Sequence, residues 1–509
     1  MWLTQSLHRE LRLCPERIAT IHRDRRRTVA ESAERIARFA AALAAMGVCP
    51  GDRVAILALN SDRYHECLLA VPWCGGVVNP INTRWAVPEV AFALAQSGTK
   101  LLLVDDLFVA EVAALREQLP ELRTVVYMGE NVTPPGMFGY EQLIAEHVPC
   151  EDRRAGGDAL FGLFYTGGTT GTPKAVMLTH HNLLMSALGA LASERLITRG
   201  GRILHAAPMF HLADLGHWVL GNLVGSTHVT IPSFTTEAVV EAVDEHAITD
   251  VLLVPTMLRM LVDHVDDGAR LGTVRNVLYG ASPMPEDLLR RAMTLFGSAN
   301  FTQVYGMTEL ACFASLLSSA AHDHPVRRRG VGKPALHNEI RIVDDADQQV
   351  ACGTVGEVVV RGDNVTVGYW ANPEATAAAV REGWLHTGDV GYLDADGYLY
   401  VVDRLKDMII TGGENVYTTE VENALTEHPA VALCAVFGLP DPQWGESVEA
   451  AVVLAPGTHA SESELREHCR GLVAGYKVPR RIAFVDQMPL SGTGKVLKRE
   501  LVKAFAATR

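Results

Sequence analysis

The sequence predicts an α/β fold: a large N-terminal domain of stacked βαβ subdomains with an added β-rich subdomain, followed by a small α+β C-terminal domain. Apolar strand-like runs alternate with helix-like patterns from about residue 28 to residue 310, which implies parallel sheets joined by helices. After Gly330 the pattern changes to short strands separated by glycine and aspartate. Beyond Asp403, roughly a hundred residues carry a core pattern of their own, which is enough for a small domain.

The first part of the chain supplies the clearest alternation. One helix is predicted from apolar residues that share a face, and Gly47 ends it. The residues of that face are Ile36, Phe39, Ala40, Leu43 and Met46. Short apolar runs at residues 54–59, 75–80 and 100–105 predict buried strands. Residues 60–62, Asn-Ser-Asp, offer cap residues for the helix that follows the first of these strands.

The later elements follow the same reasoning. A helix is predicted to start at residues 180–184. Strands are predicted at residues 202–208, 251–255, 276–280, 301–309, 339–343, 356–361 and 397–402. A charged joint at residues 403–407 separates these from the last part of the chain. That part is predicted to contain helices at residues 420–425 and 462–472 and strands at residues 431–437 and 448–453.

Composition limits the class of protein. The chain has 509 residues, of which 48% are apolar and 20% charged, so it is globular and has more than one core. The net charge of −14 argues against a nucleic-acid partner. Nine cysteines without a C-x-x-C pair argue against a disulfide framework and a structural zinc site, and suit a reducing cytoplasm.

Targeting signals are not apparent in the sequence. The first residues lack a basic region followed by an apolar one, and no apolar run approaches ~18 residues, so we expect neither a secretory signal nor a transmembrane helix. Two basic runs, residues 25–27 and 327–329, are predicted to be solvated turns. Peripheral contact of these runs with an anionic membrane surface remains an alternative. The sequence is also compatible with an oligomer.

The most informative stretch is the loop at residues 165–174, which reads Tyr-Thr-Gly-Gly-Thr-Thr-Gly-Thr-Pro-Lys between two apolar runs. Glycine allows backbone N–H groups to converge on an anion, while the threonine hydroxyls and Lys174 add donors and a positive charge. The loop is therefore predicted to hold a polyphosphate. It is not a Walker A loop, because Lys174 follows Pro173 and precedes Ala175. Taken alone, it would also fit a flexible surface turn.

Three further polar segments follow this loop. Residues 305–309 read Tyr-Gly-Met-Thr-Glu, residues 384–389 read Trp-Leu-His-Thr-Gly-Asp, and residues 403–415 are paired with Ser-Gly-Thr-Gly-Lys at 491–495. In this order and spacing, the segments closely resemble those of the adenylate-forming enzymes over nearly the whole chain. Within that family the sequence looks most like the fatty acyl-CoA ligases, since Gly-Gly-Glu-Asn-Val-Tyr at 412–417 is typical of them.

The resemblance implies an organisation and a reaction. Residues 1–403 would bind AMP and the acyl group, residues 404–408 would form a hinge around Lys406, and residues 409–509 would form a mobile domain carrying the catalytic Lys495. A carboxylate would attack the α-phosphate of Mg²⁺-ATP, and coenzyme A would then displace AMP from the acyl-adenylate. The expected acid is a medium- or long-chain fatty acid. The alternative is an aromatic or polar acid, or transfer to an amine or a carrier-protein thiol.

The resemblance also implies roles at the reacting phosphate. Lys495 would contact the attacking carboxylate and the α-phosphate oxygens, and so stabilise developing charge. Thr308 would donate to the α-phosphate. Glu309 would bind Mg²⁺, a hard cation that prefers oxygen ligands. Outside these motifs, Lys495 would be read as a solvated lysine and Glu309 as a loop carboxylate.

The rest of the nucleotide would be held by residues from several segments. Tyr305 offers a ring for adenine, and Asp389 and Arg404 resemble the family's ribose-binding pair. In isolation, Asp389 would be a turn residue and Arg404 a partner in a surface ion pair. The other implied ATP-binding residues are Thr166, Gly167, Gly168, Thr169, Thr170, Gly171, Lys174, Gly280, Ala281 and Ser282.

The acyl and thiol sites are less sharply defined. His211 would border the carboxylate, as a gate or a positioning donor, although a core histidine is an equal alternative. The implied walls of the acyl pocket are Phe210, Met257, Met307 and Leu310, and the implied coenzyme A contacts are Gly412, Gly413 and Glu414. Three residues depart from the family pattern: Gly167 replaces a serine, Ala175 replaces a glycine, and Asp214 stands where small or apolar residues are common. If Asp214 faces the pocket, a shorter, aromatic or polar acid gains weight.

Two further readings compete with the ligase. A non-catalytic nucleotide-binding protein would be expected to have lost the key residues of these motifs, yet Lys174, Glu309, Asp389, Arg404 and Lys495 are all present. A phosphotransferase would be expected to carry a Walker or kinase loop, which the sequence lacks.

Overall fold

The computed structural model describes residues 1–166, 173–490 and 496–506. Its internal contacts divide the chain into two compact units. The first unit comprises residues 1–339 and 360–385, and the second comprises residues 340–359 and 386–509. The boundary at residues 404–408 that the sequence suggests remains a prediction.

The helices alternate with strands through most of the first unit, as the sequence predicts. The described residues form the α-helices α1 (Gln5–Leu13), α2 (Val29–Ala45), α3 (Asp62–Trp73), α4 (Val87–Ser97), α5 (Val112–Gln118), α6 (Tyr140–Glu146), α7 (His180–Ser193), α8 (Leu212–Val224), α9 (Thr236–His246), α10 (Pro255–His264), α11 (Glu286–Phe296), α12 (Pro373–Ala379), α13 (Thr418–Thr426), α14 (Glu462–Arg470) and α15 (Lys498–Ala506). Short 3₁₀ helices lie at Asp106–Glu111, Gly268–Leu271, Thr308–Leu310, Ser319–Asp323, Arg327–Arg329 and Gly475–Lys477.

The strands are mostly short. In chain order they are β1 (Ile18–His22), β2 (Arg25–Thr28), β3 (Arg53–Leu57), β4 (Val77–Pro80), β5 (Leu101–Val104), β6 (Thr124–Tyr127), β7 (Phe138–Gly139), β8 (Leu160–Thr166), β9 (Lys174–Thr179), β10 (Arg202–His205), β11 (Thr227–Thr230), β12 (Asp250–Leu252), β13 (Asn276–Gly280), β14 (Asn300–Tyr305), β15 (Ser315–Leu317), β16 (Lys333–Pro334), β17 (Asn338–Val343), β18 (Gly356–Gly362), β19 (Val380–Arg381), β20 (Trp384–Leu393), β21 (Leu399–Arg404), β22 (Ile409–Thr411), β23 (Glu414–Val416), β24 (Val431–Asp441), β25 (Gly445–Leu454) and β26 (Arg481–Phe484).

Two largely parallel sheets organise the first unit. A seven-stranded sheet has the order β7-β6-β5-β3-β4-β8-β9, in which the last pair is antiparallel. A nine-stranded sheet has the order β16-β15-β14-β13-β12-β10-β11-β1-β2, and its strands from β1 to β14 along this order run parallel. The predicted stacked βαβ architecture is confirmed.

The main core explains why these helices form. Ile36, Phe39 and Leu43 lie fully buried on one face of α2, as their helical spacing predicts. The cluster they join takes side chains from α3, α7 and α8 and from both sheets. A second core packs α9, α10 and α11 on the nine-stranded sheet, and a third packs α4 and α5 on the seven-stranded sheet.

The second unit contains a small sheet covered on both faces. Its strand order is β23-β22-β25-β24, with β26 paired to β25. Alternate residues of β24 enter opposite cores: Val436 joins the cluster with α13 and α14, while Phe437 joins the cluster with α15. A further five-stranded sheet has the order β17-β18-β20-β19, with β21 on β20. The predicted α+β C-terminal part is therefore confirmed.

The first basic run differs from the predicted solvated turn, whereas the second forms a short 3₁₀ helix, Arg327–Arg329, without a buried residue. Residues 25–27 lie in β2, where Arg25 pairs with Asp62 at 2.7 Å and Arg27 with Glu66 at 3.3 Å. In the second run Arg329 pairs with Glu286 at 2.6 Å. Much of their charge is therefore balanced within the fold. No helix in the described part of the chain is long and apolar enough to cross a membrane.

Candidate active site

Nine of the residues predicted to hold the substrates follow the ends of neighbouring strands. Strands β10, β12, β13 and β14 are adjacent and parallel, so their carboxyl ends meet at one edge of the nine-stranded sheet. We call this the strand-end edge. The predicted residues that follow these strands are Phe210, His211, Met257, Ala281, Ser282, Met307, Thr308, Glu309 and Leu310. Segments far apart in sequence thus contribute to one edge.

Two glycines allow the backbone to pass closely at this edge. A Cβ on Gly280 would lie 2.1 Å from the carbonyl oxygen of Val304, on the neighbouring strand. A Cβ on Gly306 would lie 1.8 Å from the carbonyl oxygen of Cys312. These contacts exclude any side chain, so the segments around Tyr305 depend on glycine at both positions.

Glu309 is a buried carboxylate in the 3₁₀ helix Thr308–Leu310, and it is only 6% exposed. The hydroxyl of Tyr369 donates to its Oε1 at 2.9 Å. The backbone N–H of Thr366 donates to the Glu309 carbonyl oxygen at 2.8 Å. Burial, and then the charge of Glu309, raises the pKa of Tyr369, which therefore remains a neutral donor.

The phosphate loop joins β8 and β9, in which Thr166 pairs with Lys174 in antiparallel register. The Lys174 Nζ atom lies 5.1 Å from the centroid of the Tyr369 ring. Tyr369, which the sequence analysis did not single out, thus links the loop to Glu309. The predicted loop residues Gly167, Gly168, Thr169, Thr170 and Gly171 lie outside the described residues, as does Lys495.

The donor set fits Mg²⁺ only in part. No group of three histidine, cysteine or acidic side chains that could hold a metal ion occurs within the described residues. Glu309 offers the hard oxygen that Mg²⁺ prefers, and a carboxylate has enough lone pairs to serve both a hydroxyl and a cation. Mg²⁺ would therefore be held by Glu309 together with phosphate oxygens of the nucleotide.

Two of the residues predicted at the acyl site, Phe210 and His211, directly precede helix α8. His211 is the N-cap of this helix, and its Nδ1 accepts from the N–H of Ala213 at 3.2 Å. Phe210 and Leu310 are buried, whereas Met257 and Met307 are partly exposed. This backbone contact gives His211 a structural role, as the alternative reading of a histidine satisfied by the backbone expected, and leaves its role toward the carboxylate a prediction.

Asp214 lies fully buried on α8 and begins a chain of hydrogen bonds. Its Oδ2 contacts His205 Nδ1 at 2.7 Å, and His205 Nε2 contacts His228 Nδ1 at 2.9 Å. Burial raises the pKa of Asp214. Its second oxygen, Oδ1, is buried without a hydrogen-bond partner among the described residues.

His217, also on α8, takes no part in a chain of hydrogen bonds of this kind within the described part of the chain. Neither ring nitrogen of the buried His217 has a hydrogen-bond partner among the described residues. Burial lowers its pKa to about 3. On the same helix, Trp218 Nε1 donates to His65 Nδ1 at 2.9 Å. We call Asp214 and His217 the α8 polar face. Sequence reasoning noted Asp214 but missed His217, although it interrupts the apolar pattern of α8.

The predicted ribose-binding pair lies in the second unit. Asp389 and Arg404 are opposite each other in the antiparallel pair β20 and β21, and Arg404 Nε lies 2.7 Å from Asp389 Oδ1. The predicted hinge residue Lys406 is exposed in the turn that follows β21.

The predicted thiol-site glycines form a hairpin turn. Gly412 and Gly413, with φ of +62° and +85°, join β22 to β23, while Glu414 begins β23 and is exposed. A Cβ on Gly412 would lie 2.9 Å from the Trp444 ring. Arg480 stacks on the Trp444 ring at 4.9 Å.

A shallow cavity of about 430 Å³ lies in the same unit. Three arginines and a tyrosine are among the side chains that line it: Arg466, Arg470, Arg480 and Tyr476. Tyr476 is 46% exposed, so its ring is accessible to a ligand. Exposed aromatic faces beside arginines favour a ligand with both a base and phosphate groups.

A charged network holds the start of helix α15. Lys498 Nζ pairs with Glu422 at 2.8 Å and also donates to the hydroxyl of Thr418. The backbone N–H and the hydroxyl of Thr418 both donate to Asp403. Lys498 begins α15, three residues after Lys495, so these contacts anchor the helix that follows the predicted catalytic segment.

Comparisons with known proteins identify the family of the chain. The AMP-binding enzyme family model matches residues 7–370, and the AMP-binding enzyme C-terminal domain matches residues 420–495. A feruloyl-CoA synthase of an Amycolatopsis species is 41% identical over 500 residues, which cover 98% of each chain. The fatty acid–acyl-carrier-protein ligase ScoC of Streptomyces coeruleorubidus is 37% identical over 477 residues, covering 92% of this chain and 89% of that protein.

A solved structure extends the comparison to the fold. The o-succinylbenzoate CoA synthetase MenE of Bacillus subtilis, in complex with ATP and magnesium ion, is 33% identical with a TM-score of 0.85. The alignment covers 97% of this chain and 98% of that one. The chain therefore belongs to the AMP-binding enzymes, the adenylate-forming family, and is an acid–thiol ligase most similar to the acyl-CoA synthetases.

Proposed function

We propose that this enzyme activates an aromatic carboxylic acid with ATP and transfers the acyl group to coenzyme A. In the first step a carboxylate oxygen attacks the α-phosphorus of ATP, and pyrophosphate leaves. In the second step the thiol sulfur attacks the acyl carbon of the adenylate, and AMP leaves. Both steps need stabilisation of negative charge on phosphate oxygens.

The observation that carries the adenylation step is the junction of Lys174, Tyr369 and Glu309. Lys174, at the start of β9, and Glu309, at the strand-end edge, both contact Tyr369. Lys174 would bind the phosphates, and bound Mg²⁺ would neutralise charge on the leaving pyrophosphate. Lys495 would serve the α-phosphate and the attacking carboxylate, as the sequence motif suggests.

The remaining roles follow from the second unit. Asp389 would accept hydrogen bonds from the ribose hydroxyls, and Arg404 would hold its carboxylate in place. The exposed turn at Lys406 supports a hinge, because a pivot must change its backbone dihedrals without losing packing. Movement about residues 404–408 would let one C-terminal domain serve both half-reactions.

The α8 polar face supports an aromatic acid that carries hydrogen-bonding substituents. Helix α8 starts at His211, the residue that would border the carboxylate, and buries polar atoms of Asp214 and His217 without partners among the described residues. An alkyl chain would leave those atoms unpaired at a cost of about 1–3 kcal/mol each, whereas a phenol can bond to them. The 41% identical feruloyl-CoA synthase supports the same class over the fatty acid that the motifs alone suggested.

Coenzyme A is the proposed acceptor. Its adenine and phosphate groups suit the exposed Tyr476 ring and the arginines of the cavity in the second unit. A carrier-protein thiol, as the name of the 37% identical ligase indicates for that protein, would not require a nucleotide site.

The test is ATP–pyrophosphate exchange with a panel of hydroxycinnamic, benzoic and fatty acids. We expect exchange with the hydroxylated aromatic acids to exceed exchange with the fatty acids. Exchange with fatty acids only would overturn the aromatic assignment, and exchange with none would overturn adenylation. Acyl-CoA formation, measured beside transfer to amines and to a carrier protein, tests the acceptor.

A further inference from the structure

Tyr369 contacts both charged groups of the phosphate site, yet its own role in the reaction is unassigned. It is 8% exposed, its hydroxyl donates to Glu309 at 2.9 Å, and its ring lies 5.1 Å from the Lys174 ammonium. We propose that Tyr369 is a positioning residue for the nucleotide: its hydroxyl fixes the carboxylate of Glu309, and its ring face holds Lys174 at the start of β9. This inference rests on the proposed function.

The backbone around Tyr369 is held on both sides. The N–H of Trp370 donates to the carbonyl oxygen of Ala175 in β9 at 2.8 Å. The N–H of Thr366 donates to the carbonyl oxygen of Glu309 at 2.8 Å. The segment that carries Tyr369 is therefore bonded to the same two elements that its side chain contacts. Such support fixes a functional side chain within a narrow range of positions.

One aromatic side chain can serve both charges because its groups differ. The phenol hydroxyl is a hydrogen-bond donor suited to a carboxylate, and the ring face carries a negative potential that attracts an ammonium. Glu309 is nearly buried, and a buried carboxylate needs hydrogen-bond donors. Each of the two opposite charges thus gains a partner on Tyr369.

The alternative role of Tyr369 is packing alone, since its ring also belongs to the largest core. Tyr369→Phe separates the two roles, because it keeps the ring and removes only the hydroxyl. Calorimetric titration with Mg²⁺-ATP, without any acid, measures binding before chemistry. We expect Tyr369→Phe to weaken this binding, and to raise the Mg²⁺ concentration needed for half-maximal exchange, by about 10-fold. The melting temperature should stay close to that of the wild type.

Tyr140→Phe is the matched control. Tyr140 is also buried and donates to a buried glutamate, Glu66, at 2.8 Å. Glu66 pairs with Arg35 and lies outside the proposed nucleotide site. Loss of this hydroxyl should leave Mg²⁺-ATP binding unchanged, so a shared effect of both variants would overturn the proposal.

A double-mutant cycle tests whether Tyr369 acts through Glu309. In a Glu309→Gln background, Tyr369→Phe should add less than 2-fold to the loss of binding, because the carboxylate it orients is absent. Tyr369→Leu, which also removes the ring, should weaken binding further by releasing Lys174. Additive losses, or wild-type binding by Tyr369→Phe, would overturn the proposal. Wild-type binding of Mg²⁺-ATP without exchange for any acid would instead count against the proposed function.

Discussion

The strand-end edge and the α8 polar face lie in the same unit but treat their polar groups differently. At the edge, Glu309 bonds to Tyr369, whose ring also contacts Lys174 at the start of β9. On α8, Asp214 Oδ1 and both nitrogens of His217 have no hydrogen-bond partner among the described residues. At the strand-end edge, protein groups supply the hydrogen bonds of the charged side chain. On the α8 polar face, the unpartnered polar atoms could be bonded by a substrate.

The difference suggests that the strand-end edge binds ATP, whereas the α8 polar face selects the acid. ATP is common to every turnover, so its contacts can be organised in advance by protein groups. The acid is what distinguishes one ligase from another, and buried polar atoms that require a partner reject acids that lack it. We expect changes at the edge to affect all acids equally and changes on α8 to affect acids selectively.

The largest expected effect is at the edge. Glu309→Gln keeps the shape of the side chain but removes the charge, so it should reduce the exchange rate about 10²–10³-fold. The factor should be the same for an aromatic and an alkyl acid, because the lost contact concerns only the nucleotide. ATP–pyrophosphate exchange with both acids measures it.

Glu286→Gln is the control for this change, since Glu286 pairs with Arg329 at the surface. It should retain the wild-type rate. If Glu309→Gln impaired one class of acid far more than the other, the separation between the two regions would be wrong.

A smaller and selective effect is expected on α8. His217→Leu replaces the unpartnered ring with an apolar side chain, and should lower kcat/KM for a hydroxylated aromatic acid about 10-fold. For an alkyl acid of similar length, kcat/KM should stay the same or increase. The ratio of the two specificity constants is the measurement.

His322→Leu is the matched control, because His322 is also buried but bonds to Tyr279 at 2.7 Å, on the other face of the nine-stranded sheet. His322→Leu should lower the stability of the protein without changing the ratio of kcat/KM between the aromatic and the alkyl acid. An equal change of ratio in both variants would show that general loosening, rather than His217, sets the preference.

Local signals explain how much the sequence could predict. The helical spacing of Ile36, Phe39 and Leu43 predicted the buried face of α2, and Gly47 predicted where that helix ends. Four segments were expected to line the substrates because their motifs, in this order and spacing, resemble those of the adenylate-forming enzymes. Such features depend on neighbours in the chain, which the sequence displays directly.

Long-range pairing accounts for what the sequence missed. Strand β1 joins β11, with Thr20 opposite His228, although more than 200 residues separate them. Tyr369 reaches Glu309 across 60 residues, and no local pattern marks it as a partner. The arginines of β2 were expected to be solvated, because their acidic partners lie on other elements. Tertiary packing, rather than propensity, sets these contacts.

A further expected effect concerns the stability of the protein rather than its rates: the response of the α8 polar face to acid. Burial lowers the pKa of His217 to about 3, whereas in the unfolded chain it would titrate near 6.5. Between these values the unfolded chain binds more protons, so the contribution of His217 to stability is present above pH 6.5 and is lost as the pH falls. At about pH 5 the loss amounts to about 2 kcal/mol for one such histidine.

His217→Leu should therefore flatten the fall in urea midpoint between about pH 7.5 and pH 5, because it removes one group that must stay neutral. Asp214, whose pKa burial raises, has the opposite sign, but it is present in both proteins and largely cancels in the difference. His264→Leu, at an exposed position, should keep the wild-type slope. If His217→Leu also kept that slope, the ring would be solvated or bonded in the folded protein. The α8 polar face would then have no unmet partner to offer a substrate, and the contrast with the strand-end edge would disappear.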